Sequence, residues 1–173
     1  MKGTPITYKL PDSSEEFTVY PEHCELPLEE LRANSLDGNF HIATIPETGN
    51  NMMVIHYKGE RLYSRPKFRL HNTEQATPGI NPPEVIYCNH NRILPLICYE
   101  LLFPQDYLKL YLKPDLIIHM VGFPMQDENQ KEGWVAMQKA LSIIYNCPLV
   151  CCCGGPMNDL NISGVTYPKG EQQ

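Results

Sequence analysis

"ILPLICYELLFP", Ile93 to Pro104, is an apolar run of strand length that ends on a cysteine and breaks at once into Tyr99 and Glu100, a second apolar step and a proline. A run of this length reads as a buried strand, and a proline just after it suits the first turn of a helix. The thiol therefore sits where a strand hands over to a turn. Free cysteine is among the most buried side chains and most often serves as a small hydrophobe, so the position of Cys98 raises a choice between packing and chemistry.

Reading outward, "EVIYC" (84–88), the polar turn "NHNR" and "ILPLIC" form two short strands with a tight connection. "FPQDYLKLYLKPD" carries Leu108, Tyr111 and Leu112 at helical spacing and stops at Pro114, which predicts a short helix. "DLIIHMV" comes next as a buried strand. "QKEGWVAMQKALSIIYN" then sets Trp134, Met137, Leu141, Ile144 and Tyr145 on one helical face, and "PLVCCC" closes the series. Strand, helix, strand, helix, strand predicts an α/β half with adjacent strands parallel, whose chemistry collects at the carboxyl ends of the strands. The first half offers the strands "FTVY", "FHIATI", "MMVIHY" and "ERLYS", a "KGE" turn, and one helix in "LPLEELRANSLDG".

The 173 residues suit a single domain, 1–173. With 42% hydrophobic residues and no apolar stretch near the ~18 residues of a membrane span, the chain reads as soluble, with no membrane partner. "MKGTPITYKLPDSSEEF" lacks the apolar core of a signal peptide. Seven cysteines, four of them crowded at Cys147 and Cys151 to Cys153, suit reduced thiols in a cytoplasmic setting better than a disulfide framework. A net charge of -6 without a basic cluster argues against nucleic acid.

A thiol at neutral pH needs a base or a positive neighbour to become a nucleophile. Two upstream stretches end on suitable groups: "FTVYPEHCE" with Glu22, and "LYSRPKFRL" with Lys67. A carboxylate can take the thiol proton and hand it to a leaving amine, while an ammonium can stabilise oxyanion charge. Singly, each also fits a solvated surface position.

Together and in this order, Glu22, Lys67 and Cys98 resemble the catalytic set of the carbon-nitrogen hydrolase (nitrilase) family. "VYPEHCE" is similar to its "FPE" strand end, and "GERLYSRPKFRL" to its Gly turn and "YRK". "ILPLICYELLFPQDYLKLYLKPDLIIHMVGFP" is similar to its "ICYE" nucleophile strand, the helix start after it and the next strand. "QKALSIIYNCPLV" and "ISGVTYPKGE" resemble its later segments. The resemblance implies an αββα sandwich, two sheets flanked by helices, with outer elements trimmed at both ends. It implies Glu22 as general base, Lys67 as oxyanion stabiliser, Cys98 as nucleophile, Glu74 as the second active-site glutamate, and the Tyr99 N–H as an oxyanion donor. It further implies hydrolysis of a small amide or nitrile through a thioester, no metal or other cofactor, and a homodimer. Where the family has "RAxEN" this chain has Lys139 and Ser142, losing a buried ion-pairing position.

Other readings stand beside this one. His119, on the strand after the nucleophile turn, is the second candidate base and equally a core histidine. Phe123 lies just past that strand's carboxyl end and either lines a pocket or packs. His23 either lines the pocket or faces solvent. Cys151, Cys152 and Cys153 alternate faces along a strand and cannot converge on one metal. A catalytically silent scaffold on the same fold, or an acyl-transfer or nitrile-hydrolysing branch, is the alternative to an amidase.

Overall fold

Alternation along the strands decides the layers. A computed structural model describes residues 4–108, 112–155 and 158–169. Strands β1 (Ile6–Lys9), β2 (Glu16–Val19), β3 (Phe40–Glu47), β4 (Asn50–Tyr57) and β5 (Glu60–Pro66) form one sheet in chain order. Strands β6 (Ile86–Cys88), β7 (Asn91–Ile97), β8 (Leu116–Val121), β9 (Leu149–Cys153) and β10 (Gly164–Thr166) form the second, in the order β10-β9-β8-β7-β6. Every second residue of the central strands points at the opposite sheet. Phe17, Val19, Phe40, Ile42 and Ile55 thus meet Ile93, Ile97, Ile118, Met120, Val150 and Cys152 in a shared core. Phe40 stacks between Phe17, at 5.3 Å, and Tyr57, at 4.4 Å.

The outer faces take the helices. Helix α1 (Leu28–Asn34) buries Leu31 with Tyr20, Ala43, Ile45 and Val54 of the first sheet. Helix α2 (Glu128–Tyr145) buries Trp134, Leu141 and Tyr145 against Leu94, Leu96, Ile117 and Leu149 of the second. The result is the αββα sandwich that the sequence implies. Cys152 faces the inter-sheet core while Cys151 and Cys153 face the α2 side, so the three thiols do separate, and all seven cysteines are free.

Several elements differ from their sequence reading. The parallel arrangement holds for β7, β8 and β9, but β6 and β10 pair antiparallel at the two edges. Cys88 pairs with Asn91 across a two-residue turn with Asn89 left-handed (φ 53°), and so short a link can join only antiparallel strands. Strands β1 and β10, which sequence patterning does not mark, complete the two edges.

The helix expected after Pro104 is replaced by 3₁₀ turns over Cys98–Leu102 and Pro104–Asp106, with Tyr107 fully buried and its hydroxyl donating to the Leu101 carbonyl at 2.6 Å. Residues 109–111, Tyr111 among them, lie outside the described residues, as do Gly170 and Glu171 of the far motif.

Helix α2 begins at Glu128, where the Asp127 side chain accepts from the Gln130 N–H at 2.8 Å, an N-cap that satisfies one orphan donor. Its buried stripe runs through Gln138 and leaves Ile144 exposed. The reason lies beneath the helix. His119 on β8 is fully buried, stacks on Trp134 at 5.5 Å, and needs a polar partner, which Gln138 Nε2 supplies at 3.2 Å from Nδ1. Ser142, where the family pattern has an acid, donates to the Cys147 carbonyl at 2.6 Å and ties the helix end to β9. Among the described residues no helix is long and apolar enough to cross a membrane.

Burial holds the His119 pKa down at about 4, so the folded ring stays neutral across the range in which an unfolded histidine gains its proton. A depressed histidine stabilises the fold fully above ~6.5 and loses that contribution as pH falls towards 4. His119→Gln is therefore expected to lose less stability than the parent between pH 7 and 4, by on the order of 2–3 kcal/mol, read from denaturant unfolding at both pH values.

Candidate active site

Each candidate group hangs from the carboxyl end of a strand. Cys98 directly follows β7 and opens the 3₁₀ turn with a left-handed backbone, φ 44°. For a residue with a side chain that conformation costs roughly 1–3 kcal/mol and persists only where the surroundings dictate it. Here the Glu100 carboxylate does so. It accepts from the Ile97 N–H at 2.8 Å and the Phe68 N–H at 2.7 Å, and takes both ends of the Arg65 guanidinium at 2.7 and 2.6 Å. Arg65 also donates to the Pro95 carbonyl at 2.9 Å, so one buried ion pair clamps the end of β5 onto the Cys98 turn.

The same clamp sets Lys67, the residue after β5. Its N–H donates to the Asn51 carbonyl and its carbonyl accepts from the Gly79 N–H, both at 2.8 Å. Its ammonium, 1% exposed, bonds Glu22 Oε1 at 2.7 Å and both oxygens of Glu74 at 2.9 and 2.8 Å. Asn51 Nδ2 adds a second short bond to Glu22 Oε1, 2.7 Å. The Glu22 carboxylate also shares a hydrogen bond with the Cys98 thiol. The Gly122 N–H also bonds that thiol. Gly154 makes this possible: a Cβ there would fall 2.2 Å from the Gly122 carbonyl oxygen, so only glycine lets the end of β9 pass so close.

Two carboxylates against one ammonium leave the cluster with one net negative charge beside the sulfur. Burial pushes the Cys98 thiol well up, the Glu22 charge adds to this, and Lys67 and the Gly122 N–H only partly offset them. The resting sulfur is thus a thiol whose proton must be taken by a base in contact with it. Burial works against the Lys67 ammonium, but the Glu22 and Cys98 charges and the hydrogen bonds of both glutamates outweigh it and raise its pKa. Burial likewise opposes ionisation of Glu74, yet the hydrogen bonds from Lys67 and the His71 N–H hold its carboxyl below the usual range.

Of the remaining predicted residues, Tyr99 is second in the 3₁₀ turn, where a helical N–H lacks an intrahelical acceptor. Its ring packs edge-on against His71 and Phe103. Phe123 is exposed and faces the His23 ring at 6.3 Å. Phe123 and His23 both line a cavity of about 740 Å³ that meets the charged cluster at Asn51 and Glu74.

His119 is not placed as a base. Its Nε2 bonds the Cys98 carbonyl oxygen at 3.1 Å and its Nδ1 is engaged by Gln138, so both nitrogens are committed to structure. Glu22, His23 and Glu74 bring ligand-capable atoms within 4.8 Å of one another, but the Lys67 ammonium already supplies the cation between the two carboxylates. Sequence reasoning missed Asn51 and gave Arg65 and Glu100 no role. An arginine two residues before the lysine and a glutamate two after the cysteine are the signal that was available.

The two five-stranded sheets between helices have the fold seen in solved carbon-nitrogen hydrolase (nitrilase) superfamily structures. Among solved structures, the chain resembles XC1258 from Xanthomonas campestris, a CN-hydrolase superfamily protein with an arsenic adduct in its active site. That match has a TM-score of 0.71 and 19% identity, over 95% of this chain and 74% of the other. It also resembles a variant of the amidase from Nesterenkonia sp. AN1 that shows Michael addition of acrylamide at the active-site cysteine (TM-score 0.69, 18% identity, 90% and 73% covered). A carbon-nitrogen hydrolase from Helicobacter pylori matches with TM-score 0.69 and 17% identity, over 84% and 60%. No family model matches the chain, and no curated protein does.

Removing one partner of a buried ion pair strands the other charge, at a typical cost of about 3–5 kcal/mol. Glu100→Gln is expected to lower unfolding stability by about that amount, measured as the urea midpoint at constant slope, because Arg65 loses its counter-charge at 5% exposure.

Proposed function

We propose that this chain is a hydrolase of non-peptide carbon-nitrogen bonds, acting on small amides through a thioester on Cys98. The observation that carries this reading is the Lys67 ammonium bonded to Glu22 and Glu74 beside a thiol that Glu22 also contacts. A base, a cation and a nucleophile converge there as acyl transfer requires.

In the first step the Cys98 sulfur attacks the amide carbon while Glu22 takes the thiol proton. The carbonyl oxygen becomes an oxyanion stabilised by Lys67 and the Tyr99 N–H. Glu22 then returns the proton to nitrogen, the carbon-nitrogen bond breaks, and ammonia or an amine leaves the thioester. Water, deprotonated by Glu22, attacks that thioester and releases the carboxylic acid with Cys98 again a thiol. Glu74 holds Lys67 throughout, and Phe123 lines the route to the cluster. An amide is favoured over a nitrile because the similar Nesterenkonia protein is an amidase. A silent scaffold has no reason to keep Glu22 and Lys67 buried and joined at 2.7 Å, since an ion pair in that setting stabilises little for its desolvation cost.

Purified protein is expected to release ammonia from at least one of a panel of short aliphatic amides, with the acyl adduct mapped by peptide mass to Cys98. Cys98→Ala should abolish release, and Lys67→Met, with folding verified, should lower it by about 10²–10³-fold or more. Unchanged turnover in Cys98→Ala, or an adduct found at Cys24 or Cys88 instead, would overturn the assignment.

A further inference from the structure

The residue after the candidate base is built into the site as deliberately as the base itself. His23 has a left-handed backbone, φ 57°, and its N–H donates to the Thr44 hydroxyl at 3.0 Å. Gly122 makes room for its ring, since a Cβ there would lie 3.1 Å from His23 Cδ2. The backbone is thus held in place and the ring has room over Gly122, with its Nε2 3.5 Å from Glu22 Oε1 and 3.9 Å from Glu74 Oε1. Its side chain is 46% exposed, whereas that of Glu22 is 2% exposed, so the ring borders both the cavity and the buried cluster.

The geometry points to His23 as a proton-controlled positioning residue for Glu22, an assignment that rests on the function proposed above. As a neutral ring it borders the Glu22–Glu74 pair and leaves the Glu22 carboxylate on the thiol. As an imidazolium it adds a second cation to a cluster whose one net negative charge Lys67 leaves over. Glu22 is then drawn towards His23 and becomes a poorer base for Cys98. The charged groups facing the ring are Glu22 and Glu74, with Lys67 between them. Thr44, Gly122 and Phe123 pack beside it without charge, and Glu25 and Glu47 line the same cavity. Protonation of His23 should therefore lower the reactivity of Cys98 through Glu22.

The test measures alkylation of Cys98 by iodoacetamide, located by peptide mass, as a function of pH, and the kcat/KM of amide hydrolysis on the same preparations. The wild-type rate is expected to show an acid-side inflection that depends on His23. His23→Gln keeps a donor near the Nε2 position but cannot titrate, and should remove that inflection. His23→Ala should also remove it and lower the rate at pH ~8 by about tenfold through misplacement of Glu22, with Gln restoring most of that loss. Superimposable pH profiles in all three proteins would overturn the assignment, as would a defect in His23→Ala that Gln does not rescue. The two readings separate cleanly. A profile that changes without any amide acylating Cys98 keeps the role of His23 and removes the hydrolase, and hydrolysis with unchanged profiles does the reverse.

Discussion

The buried pair between Arg65 and Glu100 is the joint on which the site depends. Arg65 ends the edge strand of one sheet and Glu100 belongs to the turn that ends a strand of the other. Two sheets that touch only through apolar side chains can slide and rotate by an ångström at small cost, because dispersion contacts carry little direction. A bidentate guanidinium-carboxylate pair fixes both distance and orientation. Glu100 spends its remaining acceptor capacity on the Ile97 and Phe68 N–H groups, so the clamp grips backbone on both sides. Taking two charges out of water is costly, and geometry rather than stability is what this pair provides.

With that joint fixed, the electrostatics of the cluster follow. Lys67 is placed two residues after Arg65 and Cys98 two before Glu100, so a single clamp brings cation and thiol together. Burial first, and the Glu22 charge after it, keep the thiol protonated at rest, the reverse of a site that stores a thiolate. In the proposed mechanism the thiol becomes nucleophilic as Glu22 takes its proton. Glu22 is itself held in place, with Oε1 bonded by Lys67 and Asn51.

Eight of the ten strands, part of the α2 stripe and the candidate trio Glu22, Lys67 and Cys98 were legible in the sequence because each leaves a local signature: alternation, a 3.6-residue period, or a motif in a fixed chain order. The features that were not legible depend on partners distant in sequence. Gln138 is buried because His119 lies beneath it, nineteen residues away, and periodicity alone puts an isoleucine on that face instead. The 3₁₀ turns after Cys98 arise because Glu100 and Tyr107 bind backbone atoms of their own neighbourhood, a competition that helix propensity does not register. Asn51 is one of a pair of asparagines in a hairpin strand, and nothing local distinguishes it from Asn50, which bonds Thr48 at the surface.

These cases share a cause that also explains how a chain this short presents the full cluster. Glu22, Lys67 and Cys98 all stand within three residues of a strand end, on β2, β5 and β7, and Glu74 reaches Lys67 from the loop after β5. The Lys67 bonds to Glu22 and Glu74 join elements of the first sheet, and the contact of Glu22 with Cys98 crosses the seam to the second. The outer layers contribute packing and, through Gln138 and His119, one bond to the Cys98 carbonyl. A site assembled on the seam is therefore set by strand register and by the Arg65–Glu100 joint, and it tolerates wide variation in the elements laid over the sheets far better than a change of one residue in register, which would turn Lys67 or Cys98 to the opposite face.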